Sequence, residues 1–131
     1  MNDDQIEKEI QAKGLTPPKV TFADVEASIE HECYFTAEEG VEGAFGGPAA
    51  TADYFNSKGL LVSDYIPSSL KLLTFCVLVL KNGFTVTGES ACVSPETFDA
   101  DKGREIAKEK AMEKVWALLG YSLKDKLYKA Q

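Results

Sequence analysis

The chain has 131 residues, 44% hydrophobic and 27% charged, a composition that suits one globular domain with a single core and argues against disorder. Its 14 Lys and Arg stand against 21 Asp and Glu, a net charge of −7 that opposes the phosphate attraction on which general nucleic-acid binding depends. The acidic start Met1-Asn2-Asp3-Asp4 is neither a signal peptide nor a transit peptide, and the longest apolar run, Phe75 to Leu80, is too short to span a bilayer. A cytoplasmic protein without a membrane partner is expected.

Asp3 or Asp4 caps a first helix in which Ile6 and Ile10 are one turn apart and Gly14 is the stop. After Pro17-Pro18, Thr21 and Asp24 form a capping box and Val20 staples to Val25. The second helix is then expected to bury Val25, Ile29 and Cys33 on one face, leaving His31, the one histidine, exposed on another. Thr36 and Glu39 form a second capping box for a brief helical turn, which Gly40, Gly43, Gly46 and Gly47 end. Part of Ala49 to Asn56 reads as helical, and Leu60 to Ile66 as a short strand closed by Pro67-Ser68-Ser69.

The strongest local signal is Leu72 to Val93, two β-rich runs around Asn82-Gly83. A type I′ turn there needs positive φ at both central residues and pairs Lys81 with Phe84. That register puts Leu73, Phe75, Val77 and Val79 on the core face with Phe84, Val86, Gly88, Ser90 and Cys92. The other face combines Leu72, Thr74, Cys76, Leu78 and Leu80 with Thr85, Thr87, Glu89, Ala91 and Val93. A two-stranded hairpin is marginal alone, so a third strand or a second protomer should complete the sheet. Leu72, Leu78 and Leu80 would otherwise form an exposed patch, which predicts a homo-oligomer, most simply a dimer. Ser94-Pro95 then starts a turn, and Asp99 or Asp101 opens a long helix that lays Gly103, Ala107, Ala111, Val115 and Leu118 on the sheet. Ile106, Met112 and Leu119 widen that stripe. Gly120 is its expected stop, before a last short helix capped by Ser122.

The fold class is therefore α+β: N-terminal helices, a central antiparallel β-hairpin and a long C-terminal helix packed on the sheet. Residues 1–131 form a single domain, with N-terminal helices over 1–33, a Gly/Ala-rich connecting region over 34–70, and the hairpin and C-terminal helices over 71–131.

The hairpin text from Leu73 to Glu96, followed by Phe98-Asp99, Gly103-Arg104 and Gly120-Tyr121, resembles the small tailed-phage and prophage proteins named for phage N-four gene product forty-nine and phage Sf-six gene product sixty-six. Lys13-Gly14-Leu15-Thr16 and Tyr34-Phe35-Thr36-Ala37 are similar too, whereas Trp116-Ala117-Leu118-Leu119-Gly120 departs from a Trp-Pro-Leu-Glu-Gly pattern. The resemblance implies phage or prophage origin and an accessory role, and supplies no activity.

Residues able to carry chemistry are few. Cys33, Cys76 and Cys92 lack C-x-x-C spacing, which argues against a disulfide framework or a zinc site and favours buried reduced thiols, with Cys76 and Cys92 on opposite hairpin faces. Gly88-Glu89-Ser90-Ala91 is not a nucleophile elbow, and Gly43 to Gly47 lack the strand and capped helix of a dinucleotide fingerprint. No catalytic set, metal or cofactor is expected. The basic cluster Lys124, Lys126 and Lys129 is interrupted by Asp125 and reads as a solvated face. Ligand or partner contact is expected at Thr85, Thr87, Glu89 and Arg104, which combine two hydroxyls, a carboxylate and a guanidinium beside a helix start, with Tyr34 and Phe35 as further lining. The leading reading is a non-enzymatic accessory protein that binds a host protein or a small ligand and blunts a host defence. The rivals are a small enzyme acting on a nucleotide or other phosphorylated substrate through Glu89, Arg104 and His31, and a structural phage component.

Overall fold

The computed structural model describes residues 3–12 and 18–131, so the Gly14 stop lies outside the described residues. Among the described residues six α-helices and three strands follow one another: α1 (Asp3–Ala12), α2 (Phe22–Ser28), β1 (Ile29–Thr36), α3 (Ala37–Ala44), α4 (Pro48–Ser57), α5 (Val62–Tyr65), β2 (Leu73–Leu80), β3 (Thr85–Ala91) and α6 (Ala100–Lys129), with single 3-10 turns at Ser68–Leu72 and Pro95–Thr97. The strands form one antiparallel sheet in the order β1-β2-β3. The α+β class and the long C-terminal helix on the sheet are as read from the sequence, and β1 is the third strand the hairpin needed.

The Thr21 and Asp24 capping box starts α2, and Val25 enters the core with no exposed surface. The helix does not run on to Cys33. It ends at Ser28, and Ile29 turns extended to begin β1. A spacing of four residues places side chains on one face of a helix and also of a strand, so Ile29 and Cys33 fitted both periods. Glu30 forms a bulge between Ile29, which faces Leu80, and His31, which faces Val79; the extra residue swings Ile29 back toward the core. The 34–70 region is largely helical, since the Thr36 and Glu39 box starts α3, and Gly46 and Gly47, at φ 94 and 116, carry the chain into α4. Gly40 and Gly43 lie inside α3 rather than ending it. Leu60 to Ile66 forms the single turn α5 instead of a strand, with Tyr65 stacked on Phe55.

The hairpin turn corrects the expected register by one residue. Only Gly83 has positive φ, Leu80 bonds to Phe84 across a three-residue loop, and the Gly83 amide donates to the Leu80 carbonyl. That is a type I turn followed by a left-handed glycine, not a type I′ turn. A one-residue shift exchanges the faces of one strand relative to the other. Leu73, Phe75, Val77 and Val79 therefore face away from α6, and Thr74, Cys76, Leu78 and Leu80 share the core face with Val86 and Gly88. Leu78 and Leu80, expected as an exposed patch, are buried beneath α6. Cys76 and Cys92 consequently fall on the same face; Cys76 is buried, Cys92 half-buried and Cys33 exposed, all three as free thiols.

Asp99 caps α6 by accepting from the Lys102 amide, and Gly103, Ala107, Ala111 and Val115 are its buried residues, whereas Leu118, the fifth residue expected on the sheet, is 37% exposed. The helix crosses β3 so closely that a Cβ on Gly88 would overlap the Ala107 carbonyl oxygen and the Ala111 amide nitrogen. Gly120 does not stop it. The helix is continuous for 30 residues, because an interior glycine costs only about 1 kcal/mol against alanine and a long helix absorbs that. Among the described residues, no helix is long and apolar enough to cross a membrane.

Gly88→Ala should destabilise the protein by about 3 kcal/mol, since the methyl group meets rigid backbone rather than a movable side chain. Gly43→Ala, where nothing lies within 4 Å of the added carbon, should be neutral or stabilising by at most about 1 kcal/mol. Equal midpoints of urea unfolding for the two variants would contradict the close helix–sheet contact.

Candidate functional site between the edge strand and the long helix

Helix α6 packs over β2 and β3, which leaves a cleft beside the edge strand β1. Glu32 and Tyr34 pair with Leu78 and Cys76 and so point to the helix side. The Lys108 ammonium lies 3.2 Å from Glu32 Oε1, and the Tyr34 hydroxyl donates to Glu32 Oε2 at 2.5 Å. These groups bridge strand and helix and divide the cleft in two. On one side is a groove of about 320 Å³ lined by Phe22, Glu26, Ile29, Glu30 and Met112 together with the bridge itself. On the other is a pocket of about 250 Å³ lined by Tyr34, Phe35, Thr36, Glu39, Thr74, Phe98, Ala100 and Arg104.

Local sequence builds the second pocket. The Thr36 and Glu39 box turns the chain sharply off β1, and the Asp99 cap starts α6 so that Arg104 falls near its first turn. Arg104 bonds to Asp101, one turn earlier. Thr74, on the central strand, is 3% exposed and its hydroxyl has no hydrogen-bond partner among the described residues. It stands beside Gly103, where a Cβ would come within 3.1 Å of Oγ1. A buried hydroxyl without a partner is costly, on the order of 1–3 kcal/mol.

The bridge is electrostatically organised. The hydrogen bond from Tyr34 holds the Glu32 carboxyl below its ordinary value of 4.5, with Lys108 adding to the effect and burial opposing it. Burial first, then donation to Glu32, pushes the Tyr34 hydroxyl up, and burial likewise raises the Cys76 thiol. A carboxylate whose pKa is lowered by folding contributes stability above its unfolded value, and that stability is lost as pH falls through the folded pKa. Acid unfolding monitored by circular dichroism should therefore show Glu32→Gln losing part of the parent protein's stability at neutral pH and responding less steeply below pH 4.5. Identical acid limbs would show the bridge to be energetically idle.

Of the residues singled out from sequence, Tyr34, Phe35 and Arg104 meet in one pocket. Thr85, Thr87 and Glu89 do not join them. They face Val79, Val77 and Phe75 on the side of the sheet away from α6, so the inferred proximity of Glu89 to Arg104, and Cys76 as its same-face neighbour, are not found. His31 is exposed on that open face too, on a strand rather than a helix. Glu89, Arg104 and His31 thus share no site. Among the described residues, no group of three or more His, Cys, Asp or Glu is placed to hold a metal ion. Thr74, Glu32, Lys108 and Phe98 were missed. Glu32 and Tyr34 alternate with period two, a signal the helical reading of 29–33 obscured.

A family model described as Phage protein (N4 Gp49/phage Sf6 gene 66) family matches residues 20–127. The chain belongs to this family. The matched span contains the whole sheet and both parts of the cleft. No curated protein and no solved structure matches the chain.

Proposed function

We propose that this phage protein is a non-enzymatic accessory protein that binds a small ligand in the Tyr34–Arg104 pocket within the host cytoplasm. The observation that supports this reading is Thr74, a buried hydroxyl without a partner, in the wall of a pocket that also holds a guanidinium. Tyr34, Phe35 and Phe98 supply apolar surface for the body of such a ligand, Arg104 a charged fork for an acceptor or anionic group, and Thr74 the remaining hydrogen bond. The volume, about 250 Å³, suits a metabolite rather than a macromolecule. Sequestering a small host molecule would blunt a defence that depends on it, and requires no chemical step.

Native mass spectrometry of protein recovered from host lysate should detect a small molecule that Arg104→Ala and Thr74→Val both release. Thr74→Val should at the same time raise the unfolding free energy by about 1 kcal/mol, since a methyl group replaces an unsatisfied hydroxyl of similar size. Retention of the molecule by both variants would place binding elsewhere.

A further inference from the structure

The segment from α3 to α5 carries an apolar cluster of its own. Among the described residues, the main core takes none from 37–70. Phe55 is instead buried at the centre of an aromatic group, with its ring centroid 5.3 Å from that of Phe45, 5.1 Å from Tyr54 and 4.8 Å from Tyr65. Phe45 and Tyr54 also meet each other, at 5.1 Å. The three outer rings are 37%, 46% and 53% exposed, and Leu61, at the start of α5, is exposed as well. Exposed aromatics scattered singly need no explanation, but contiguous rings drawn from the end of α3, from α4 and from α5 form a patch, and such patches mark interaction surfaces.

The patch is edged with negative charge. Each exposed ring has a carboxylate within its own helical turn: Glu42 before Phe45, Asp53 before Tyr54 and Asp64 before Tyr65. None of the three has an ion pair among the described residues. Residues 37–70 hold five carboxylates against the one ammonium of Lys58, which is more than half of the chain's net charge of −7. That ammonium lies over the Tyr54 ring, 5.9 Å from its centroid. The chain's own cation thus occupies a ring face in the way a partner's would.

We propose that the Phe45, Tyr54 and Tyr65 patch is the docking surface for a basic segment of a second protein. Its arginine or lysine side chains lay their aliphatic stems on the rings and present their charge to the ring faces and to Glu42, Asp53 and Asp64. Charge selects this occupant. A single-stranded nucleic acid could stack on the same rings, but its phosphates would meet the carboxylates. A second copy docked patch to patch about a two-fold would set each acid against acids of its partner. The patch shares no residue with the Tyr34–Arg104 pocket, so this proposal and the ligand-binding reading fail independently.

A labelled short peptide alternating arginine and leucine, titrated with the full chain and followed by fluorescence anisotropy, should bind, whereas the same peptide with glutamate for arginine should not. Tyr54→Ser and Asp64→Asn should each weaken binding about fivefold or more. Glu109→Gln, which removes another exposed carboxylate, on α6, should leave it unchanged. Asp64→Asn alters no ring contact, so it decides the matter even if Tyr54→Ser unfolds the segment. Failure of the arginine peptide to bind overturns the proposal, as does equal weakening by Glu109→Gln and Asp64→Asn, which would reduce the attraction to net charge. Tighter binding of an oligothymidylate, or a parent dimer that Tyr65→Ser renders monomeric, overturns it too, by giving the patch to a nucleic acid or to a second copy.

Discussion

The contact on which the structure depends is the one between Gly88 and the backbone of α6 at Ala107 and Ala111. Helix and strand meet there without an intervening side chain on the strand. Such an approach requires glycine on the sheet and small residues on the helix, and Gly103, Ala107 and Ala111 recur every four residues to meet it. Once the helix is seated that low over β3 and β2, the large side chains Leu78, Leu80, Val86 and Val115 fill the space to either side. The core is thus thin at its centre and thick at its flanks.

The seating of α6 also explains why the cleft lies where it does. The helix axis is committed to the β2–β3 side, and β1 is left as an edge whose inward side chains must reach across a gap. Glu32 and Tyr34 do so with polar groups, because Lys108 rather than an aliphatic residue stands opposite. A polar bridge holds the strand to the helix while leaving space at both ends, which a packed apolar contact would have filled. The central strand contributes Thr74 to one of those spaces, beside the glycine of the helix's first turns.

Much of this was legible in the sequence where several local signals agreed. Both capping boxes and the small residues of the α6 stripe were read correctly, and the cap of α6 was narrowed to Asp99 or Asp101, because each joins a fixed spacing to a specific hydrogen bond or packing need. Legibility failed where one spacing served two structures. Ile29 and Cys33 fit helix and strand alike, and Asn82-Gly83 fits both a two-residue and a three-residue loop. The second ambiguity is the more consequential, since one residue of register decided which half of β2 was core. β2 is apolar on both faces, so its own composition could not arbitrate. Of the candidate site, Tyr34, Phe35 and Arg104 were found as individual residues; their meeting depends on β1 lying beside α6, a long-range fact that no local pattern carries.

The connectivity of the sheet has a kinetic consequence. β2, β3 and α6 are contiguous in the chain, so the hairpin and the helix that covers it form through short loop closures. β1 must instead find β2 across residues 37–72, a much longer loop whose closure entropy has to be met before its contacts form. Loop-closure entropy alone therefore favours the order hairpin, then helix, then edge strand. Because the cleft exists only when β1 is in place, its wall is completed by the longest loop closure in the sheet, and amide exchange along Glu32 to Phe35 is the observable that reports on the opening of the pocket.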